Sequence, residues 1–253
     1  MESPFFSIVV LAARSPHLLP LTIDTIQSQS EKDFEILVVS PASREALPLP
    51  PNVRTVRSEA GKVSHLMNEG IRLAKGRYLQ FLDPGDRFLS DQGLGYLRKL
   101  IQESQEPHLV YSGFLMRGPD DPPEAVSFSF NRETLQKGLF PSHFRSSWFR
   151  KDALLDLGGF DEFFVHRPAF DFLCRLYRKN DLKVVYSRRV LTDSEPYSVS
   201  PGAMIGYANE TCRILYRHFG LWHALRWIFV QDHLQMLRWA IRLVKQAFSK
   251  ANT

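Results

Sequence analysis

Asn68-Glu69-Gly70-Ile71-Arg72-Leu73-Ala74-Lys75-Gly76-Arg77-Tyr78-Leu79-Gln80-Phe81-Leu82-Asp83-Pro84-Gly85-Asp86 is the stretch that decides the fold of this 253-residue sequence. The positions of Leu66, Ile71, Leu73 and Ala74 predict a helix over 63–74. Gly76 stands just past its end, where a residue without a Cβ is favoured. Tyr78-Leu79-Gln80-Phe81-Leu82 predicts a strand, and Asp83-Pro84-Gly85-Asp86 a tight turn at its C-terminal end.

The same alternation continues outward in both directions. Upstream, Phe5-Phe6-Ser7-Ile8-Val9-Val10-Leu11-Ala12-Ala13 is a continuous apolar run, the pattern of a buried parallel strand. A helix is predicted over 17–29 and a second buried strand over 34–39, stopping at Ser40-Pro41 because proline cannot continue a central strand. A proline-rich loop over 41–53 leads to a short strand over 53–56. Downstream come a helix over 94–103, a strand over 108–116, a loop over 118–124 and a helix over 149–157 stopped by Gly158-Gly159. A helix over 170–178 and a strand over 182–186 complete the series. Such alternation predicts an α/β, doubly wound sheet, whose ligands bind outside the C-terminal strand ends. Ser40 and Asp83 both stand at such ends.

Composition narrows the class. With 44% hydrophobic and 23% charged residues the chain can bury a core, which excludes wholesale disorder. Cys174 and Cys212, the only cysteines, read as free thiols of a reducing compartment rather than as a disulfide framework. The first residues lack a basic secretory leader, and no uninterrupted apolar run reaches the roughly 18 residues of a spanning helix. The net charge is +5, and its whole excess lies in the last 41 residues, where seven Lys and Arg (213, 217, 226, 238, 242, 245, 250) face the single acid Asp232. Leu234, Leu237, Ile241, Val244 and Phe248 recur at helical spacing with Arg238, Arg242 and Lys245 off that face. With Trp222, Trp227 and Trp239 nearby, this tail suits either a membrane surface or packing back on the domain. No nucleic-acid reader motif accompanies the charge, so no nucleic-acid partner is expected.

Three stretches in this order resemble family 2 glycosyltransferases of the GT-A fold. The first is Phe6-Ser7-Ile8-Val9-Val10, a helix, Gln27-Ser28-Gln29, and Asp33 through Val39. The second is Asn68 through Asp83. The third is Gly158-Gly159-Phe160-Asp161-Glu162 followed by a helix containing Arg175. The resemblance spans roughly residues 5–200 and is carried by the order and spacing of the three pieces. It implies a GT-A, Rossmann-like mixed sheet over 1–205 and a basic amphipathic helical tail over 206–253. It further implies an inverting transfer of a sugar from a nucleotide-diphosphate donor to a polysaccharide or lipid-linked acceptor. A bacterial, cytoplasmic protein held peripherally at the inner face of the membrane is the expected setting.

The resemblance also assigns residues, and here the chain departs from the family. The family's Asp-x-Asp is replaced by Asp83-Pro84-Gly85-Asp86, leaving Asp83 and Asp86 as ligands for Mg²⁺ or Mn²⁺, an oxygen-seeking cation. Glu195 stands near the position of a family histidine and is the third candidate ligand. Nucleotide contacts fall on Leu11, Ala12 and Arg14 after the first strand, on Ser40 where the family carries an Asp, and on Asn68. Arg14 suits a phosphate. The family's base is the Asp of a Glu-Asp pair, which aligns with Pro168-Ala169. Asp171, Asp161 and Glu162 are the catalytic candidates, with His166 nearby. Asp171 lies about 200° further round a helix than the aligned position. Two readings therefore remain open: an active transferase, and a degenerate GT-A domain that binds a glycan, a nucleotide or a protein.

Overall fold

The computed structural model describes residues 3–43, 49–59, 61–116, 124–141, 144–194 and 200–230. Four parallel strands form one half of the main sheet: β1 (Phe6–Leu11), β2 (Phe34–Pro41), β3 (Val53–Ser58) and β4 (Tyr78–Leu82). Two short strands, β5 (Arg87–Phe88) and β10 (Thr192–Asp193), make a separate antiparallel ribbon. The other half of the sheet is β6 (Leu109–Met116), β7 (Glu124–Val126), β8 (Ser147–Arg150) and β9 (Val184–Val190). The order is β3-β2-β1-β4-β8-β6-β7, with β9 also paired to β6, and β8 is antiparallel to both its neighbours.

Side-chain alternation explains why the central strands lie buried on both faces. Phe6, Ile8 and Val10 of β1 point to one core, together with Leu19, Ile23 and Ile26 of α1 (Leu19–Gln27). Val9 and Leu11 point to the other, against Leu66, Met67 and Ile71 of α2 (Val63–Leu73). α3 (Gly93–Glu103) adds Leu94, Leu97 and Ile101 to the first core. The second core is larger. It takes in α4 (Arg132–Gln136), α5 (Lys151–Asp156), α6 (Pro168–Tyr177), α7 (Pro201–Phe219) and α8 (Leu221–Val230). Each fully buried Leu, Ile or Phe in these cores contributes roughly 1.5–3 kcal/mol.

Three sequence expectations change on folding. β2 continues through Pro41, which pairs with Ser58 as the last residue of the strand, where a missing N–H costs no interior ladder bond. The helix expected over 149–157 is shorter, because Phe149 and Arg150 belong to β8 and only Lys151–Asp156 is helical. The slot between β4 and β6 claims these residues: Trp148 goes to one core and Phe149 to the other, so tertiary pairing overrides local propensity. β9 runs on to Val190 with an irregularity in its pairing to β6.

Residues 205 and 206, the expected boundary of a tail, both lie inside α7. Ile214 and Leu215 of α7 and Ala224 of α8 join the larger core. The expected helix from Leu234 onward lies outside the described residues. Among the described residues, no helix is long and apolar enough to cross a membrane. Cys174 is buried and Cys212 half-buried, both as free thiols.

Candidate active site at the strand ends

A cavity of about 640 Å³ opens at the C-terminal ends of β1 and β4. Leu11, Ala13 and Arg14 line it from the end of β1, and Phe81 and Asp83 from the end of β4. Phe144 and Arg145 enter from the turn before β8. Val165, His166, Pro168 and Ala169 at the start of α6 and Ser200, Ala203 and Tyr207 at the start of α7 also line the cavity. Phe114, Phe128 and Phe140 add aromatic surface to the lining.

The acidic turn after β4 is locked from within. Asp86 is fully buried, and its Oδ2 accepts the backbone N–H of Asp83 at 2.8 Å. Its Oδ1 accepts from Nη1 of Arg145 at 2.8 Å. The same nitrogen lies 3.4 Å from Oδ2 of Asp83. Gly85, between the two acids, sits at φ +102°, a region only glycine enters easily, and its N–H donates to Thr22 Oγ1. Arg145 is itself fixed, because its carbonyl accepts from Gln80 Nε2 at 2.7 Å. Burial raises the Asp83 carboxyl above its ordinary range, opposed by the charges of Arg145 and Arg14.

None of the three expected catalytic carboxylates lines this cavity. Asp171 is fully buried on α6. Its Oδ1 accepts from His218 Nε2 at 2.8 Å and its Oδ2 from Arg175 Nε at 2.8 Å, with Arg217 Nη1 at 3.4 Å. Burial opposes its charge, yet the bonds from His218 and Arg175 outweigh this and hold its carboxyl below the usual carboxylate range. Asp161 pairs with Arg217 at 2.7 Å and caps the N–H of Phe163. Glu162 accepts from Asn68 Nδ2 at 3.0 Å and faces His65 Nδ1 at 3.1 Å, and these bonds, Asn68's first, lower its carboxyl below the usual range.

His166 does reach the cavity, as an exposed side chain. Its ring lies over Gly206 of α7: a Cβ on that glycine would stand 2.4 Å from His166 Nε2. The backbone N–H groups of Val165, His166 and Arg167 all donate to the carboxylate of Glu210, so α7 fixes the segment that carries the imidazole. Beneath it, Arg167 is buried among the rings of Phe140, Phe170 and Tyr207, with its guanidinium 4.1–4.9 Å from each centroid. It also donates to Thr211 Oγ1 and to the carbonyl of Gly138.

The expected nucleotide contacts divide. Leu11 and Arg14 line the cavity. Ala12 is fully buried in the opposite core, its N–H bonded to the Val39 carbonyl. Ser40 stands at the end of β2, paired in register with Arg57, and is not among the lining residues. Asn68 clamps the loop after α5: it donates to the Phe160 carbonyl at 2.9 Å, and the Phe160 N–H donates to its Oδ1 at 2.8 Å. Glu195 lies outside the described residues. Arg145, Tyr207 and the aromatic lining escaped sequence reading. Arg145 sits in no recognisable pattern, and Tyr207 belongs to a helix whose contact with the strand ends is set by tertiary packing.

Residues 7–158 match the Glycosyl transferase family 2 pattern, and the chain belongs to that family. Among relatives, Amylovoran biosynthesis glycosyltransferase AmsB of Erwinia amylovora is 28% identical over 126 residues, covering 44% of this chain and 42% of the relative. A PGL/p-HBAD biosynthesis glycosyltransferase of Mycobacterium bovis is 31% identical over 126 residues, covering 46% and 49%. The chain thus spans less than half the length of each of these relatives. In fold it is similar to S. aureus TarS 1-349, with a TM-score of 0.64 at 15% identity over 92% of this chain and 74% of that one. It is also similar to the mannosyltransferase PcManGT from Pyrobaculum calidifontis, solved with GDP-Man and Mn²⁺, with a TM-score of 0.58 at 16% identity over 87% and 64%. The expected GT-A architecture is thereby established.

That neighbour holds Mn²⁺, and among the described residues the acidic turn after β4 is where a carboxylate stands at the cavity. Both oxygens of Asp86 are engaged by protein donors and closed to solvent. Position 85 has no carboxylate, and Asp83 faces the cavity beside two guanidinium groups. Among the described residues, no three His, Cys, Asp or Glu side chains come together as a metal site. The described residues of the turn therefore do not offer a divalent ion a shared carboxylate face.

Proposed function

We propose that this chain transfers a glycosyl group from a nucleoside-diphosphate sugar to a hydroxyl of a polysaccharide or lipid-linked acceptor, with inversion at the anomeric carbon. The observation that carries the reading is the cavity itself. It lies at the C-terminal ends of parallel strands in a chain of glycosyl transferase family 2, and its lining combines Arg14, Asp83 and Arg145 with several aromatic rings. The charged groups suit the donor, since arginine matches phosphate geometry and a lone carboxylate accepts hydroxyls. The aromatic rings suit the faces of sugar rings or an apolar acceptor. A neighbour solved with UDP-GlcNAc (TM-score 0.62, 16% identity) and the relative named for amylovoran biosynthesis support donor and acceptor classes of this kind.

In the proposed reaction the acceptor oxygen bonds to the anomeric carbon as the bond from that carbon to the phosphate oxygen breaks. The electron pair leaves with the nucleoside diphosphate. The acceptor proton passes to the imidazole of His166, a proton acceptor that lines the same cavity as Arg14 and Asp83. Asp171, with each carboxylate oxygen bonded inside α6 and α7, holds those helices together in this reading.

The test is nucleoside-diphosphate release from UDP- and GDP-sugars by the full chain and by His166→Gln. Proton acceptors typically contribute about 10²–10⁴-fold, so turnover falls about a hundredfold or more while nucleotide affinity stays within about threefold. Unchanged turnover in His166→Gln would remove the histidine from this role.

The peripheral membrane setting belongs to the same proposal and rests on α8. Leu221, Trp222, Leu225, Ile228 and Phe229 are exposed there, Trp222 at 73% and Phe229 at 72%, alongside the exposed Arg226. Exposed tryptophan and phenylalanine beside arginine suit the headgroup region of an anionic bilayer.

A further inference from the structure

The turn that ends β4 carries a built-in cation. Arg145 is only 8% exposed, bonds Asp86 at 2.8 Å and stands 3.4 Å from Asp83 while lining the cavity. Arg14 approaches the same carboxylate from the end of β1. A divalent ion on Asp83 would have to enter beside both guanidinium groups, against their repulsion. Asp86 is fully buried, with one oxygen bonded to Arg145 and the other to the Asp83 N–H, so an ion would have to displace these donors to reach it. The middle position of the turn is a glycine at φ +102°, where a restored aspartate would be strained.

We infer that Arg14 and Arg145, rather than a resident divalent cation, supply the positive charge that faces the diphosphate of the donor, leaving Asp83 to accept its hydroxyls. A guanidinium presents several N–H donors in a fixed plane and binds phosphate oxygens in pairs without the dehydration that Mg²⁺ resists. Arg145 is rigid because its backbone and its side chain are both held. Arg14 is exposed on the loop after β1 and lines the same cavity. The inference rests on the reading of this cavity as a nucleotide-sugar site.

Calorimetric titration of the full chain with UDP, GDP, CDP and dTDP, each in EDTA and in Mn²⁺, tests it. One nucleotide is expected to bind in EDTA with a Kd within threefold of that in Mn²⁺. Arg14→Gln is expected to weaken that binding tenfold or more while the chain keeps its cooperative unfolding transition. Arg14 carries the mutational test because Arg145→Gln would remove the guanidinium bonded to the buried Asp86 carboxylate. Binding in Mn²⁺ that weakens thirtyfold or more in EDTA overturns the inference and leaves the transferase reading intact. Binding that ignores Arg14→Gln overturns the part assigned to Arg14. A folded chain that binds no nucleotide in either medium overturns the transferase reading, and this inference with it.

Discussion

Replacing Asp171 by asparagine keeps the shape of the side chain and removes its charge. In the folded chain the carboxylate is fully buried and takes bonds from His218 and Arg175, each at 2.8 Å, with Arg217 at 3.4 Å. The amide that replaces it accepts through one oxygen only and turns an NH₂ group toward donors. Hydrogen bonds to a charged partner are worth about 1.5–3 kcal/mol each, and breaking one side of a buried ion pair costs about 3–5 kcal/mol. Allowing for the bond that asparagine keeps, Asp171→Asn should cost about 3 kcal/mol. At about 2–4 °C per kcal/mol for a chain of this size, Tm falls by about 6–12 °C.

The pH dependence carries a sign. The folded-state pKa of Asp171 lies below its unfolded value of about 3.9, so the stabilisation is complete above that pH. It is lost as pH falls through the lower folded value. Urea unfolding of wild type and Asp171→Asn should therefore differ by the full amount at pH 6 and converge in acid below about pH 4. A Tm shift under about 2 °C at pH 6 would refute the structural assignment of Asp171.

Two further outcomes follow from the same geometry. Gly206→Ala should hold or raise Tm, since alanine is favoured over glycine inside a helix by roughly 0.5–1 kcal/mol. Its Cβ displaces the His166 ring, which lies 2.4 Å from that position, so donor turnover should fall at least about tenfold, within the range a proton acceptor contributes. An unchanged turnover would mean that the histidine needs no such seat. Flotation with phosphatidylglycerol vesicles should carry the full chain at low salt and release the Trp222→Glu, Phe229→Glu double variant. Equal flotation of both would remove α8 from the membrane proposal.

The sheet was legible in the chain wherever burial is two-sided. The apolar runs of β1, β2 and β4 place residues against helices on both faces, and such runs survive as one-dimensional signals. β8 was not legible, since Ser147–Arg150 is too short to carry a pattern and becomes a strand only because β4 and β6 leave a slot for Trp148 and Phe149. Asp83 was readable as standing at a strand end, where ligands of this architecture bind, and it lines the cavity together with Arg14. Asp171 and Asn68 were readable only as polar residues at suggestive spacings. Their partners, His218 on α7 and the Phe160 loop, arrive from distant sequence and turn them inward.

The sequence by itself determined the alternation of strands and helices and the strand ends at which the cavity opens. These depend on periodicity and on local turn chemistry, which are properties of neighbours in the chain. Tertiary structure alone decided that Arg145 would bond Asp86 at the cavity, that α7 would seat His166 over Gly206, and that Asp171 would face His218 and Arg175. Each of these pairs, apart from Asp171 with Arg175, joins residues about forty or more positions apart. A side chain's charge and role there depend on burial and on which donors reach it, and only the packed fold sets those.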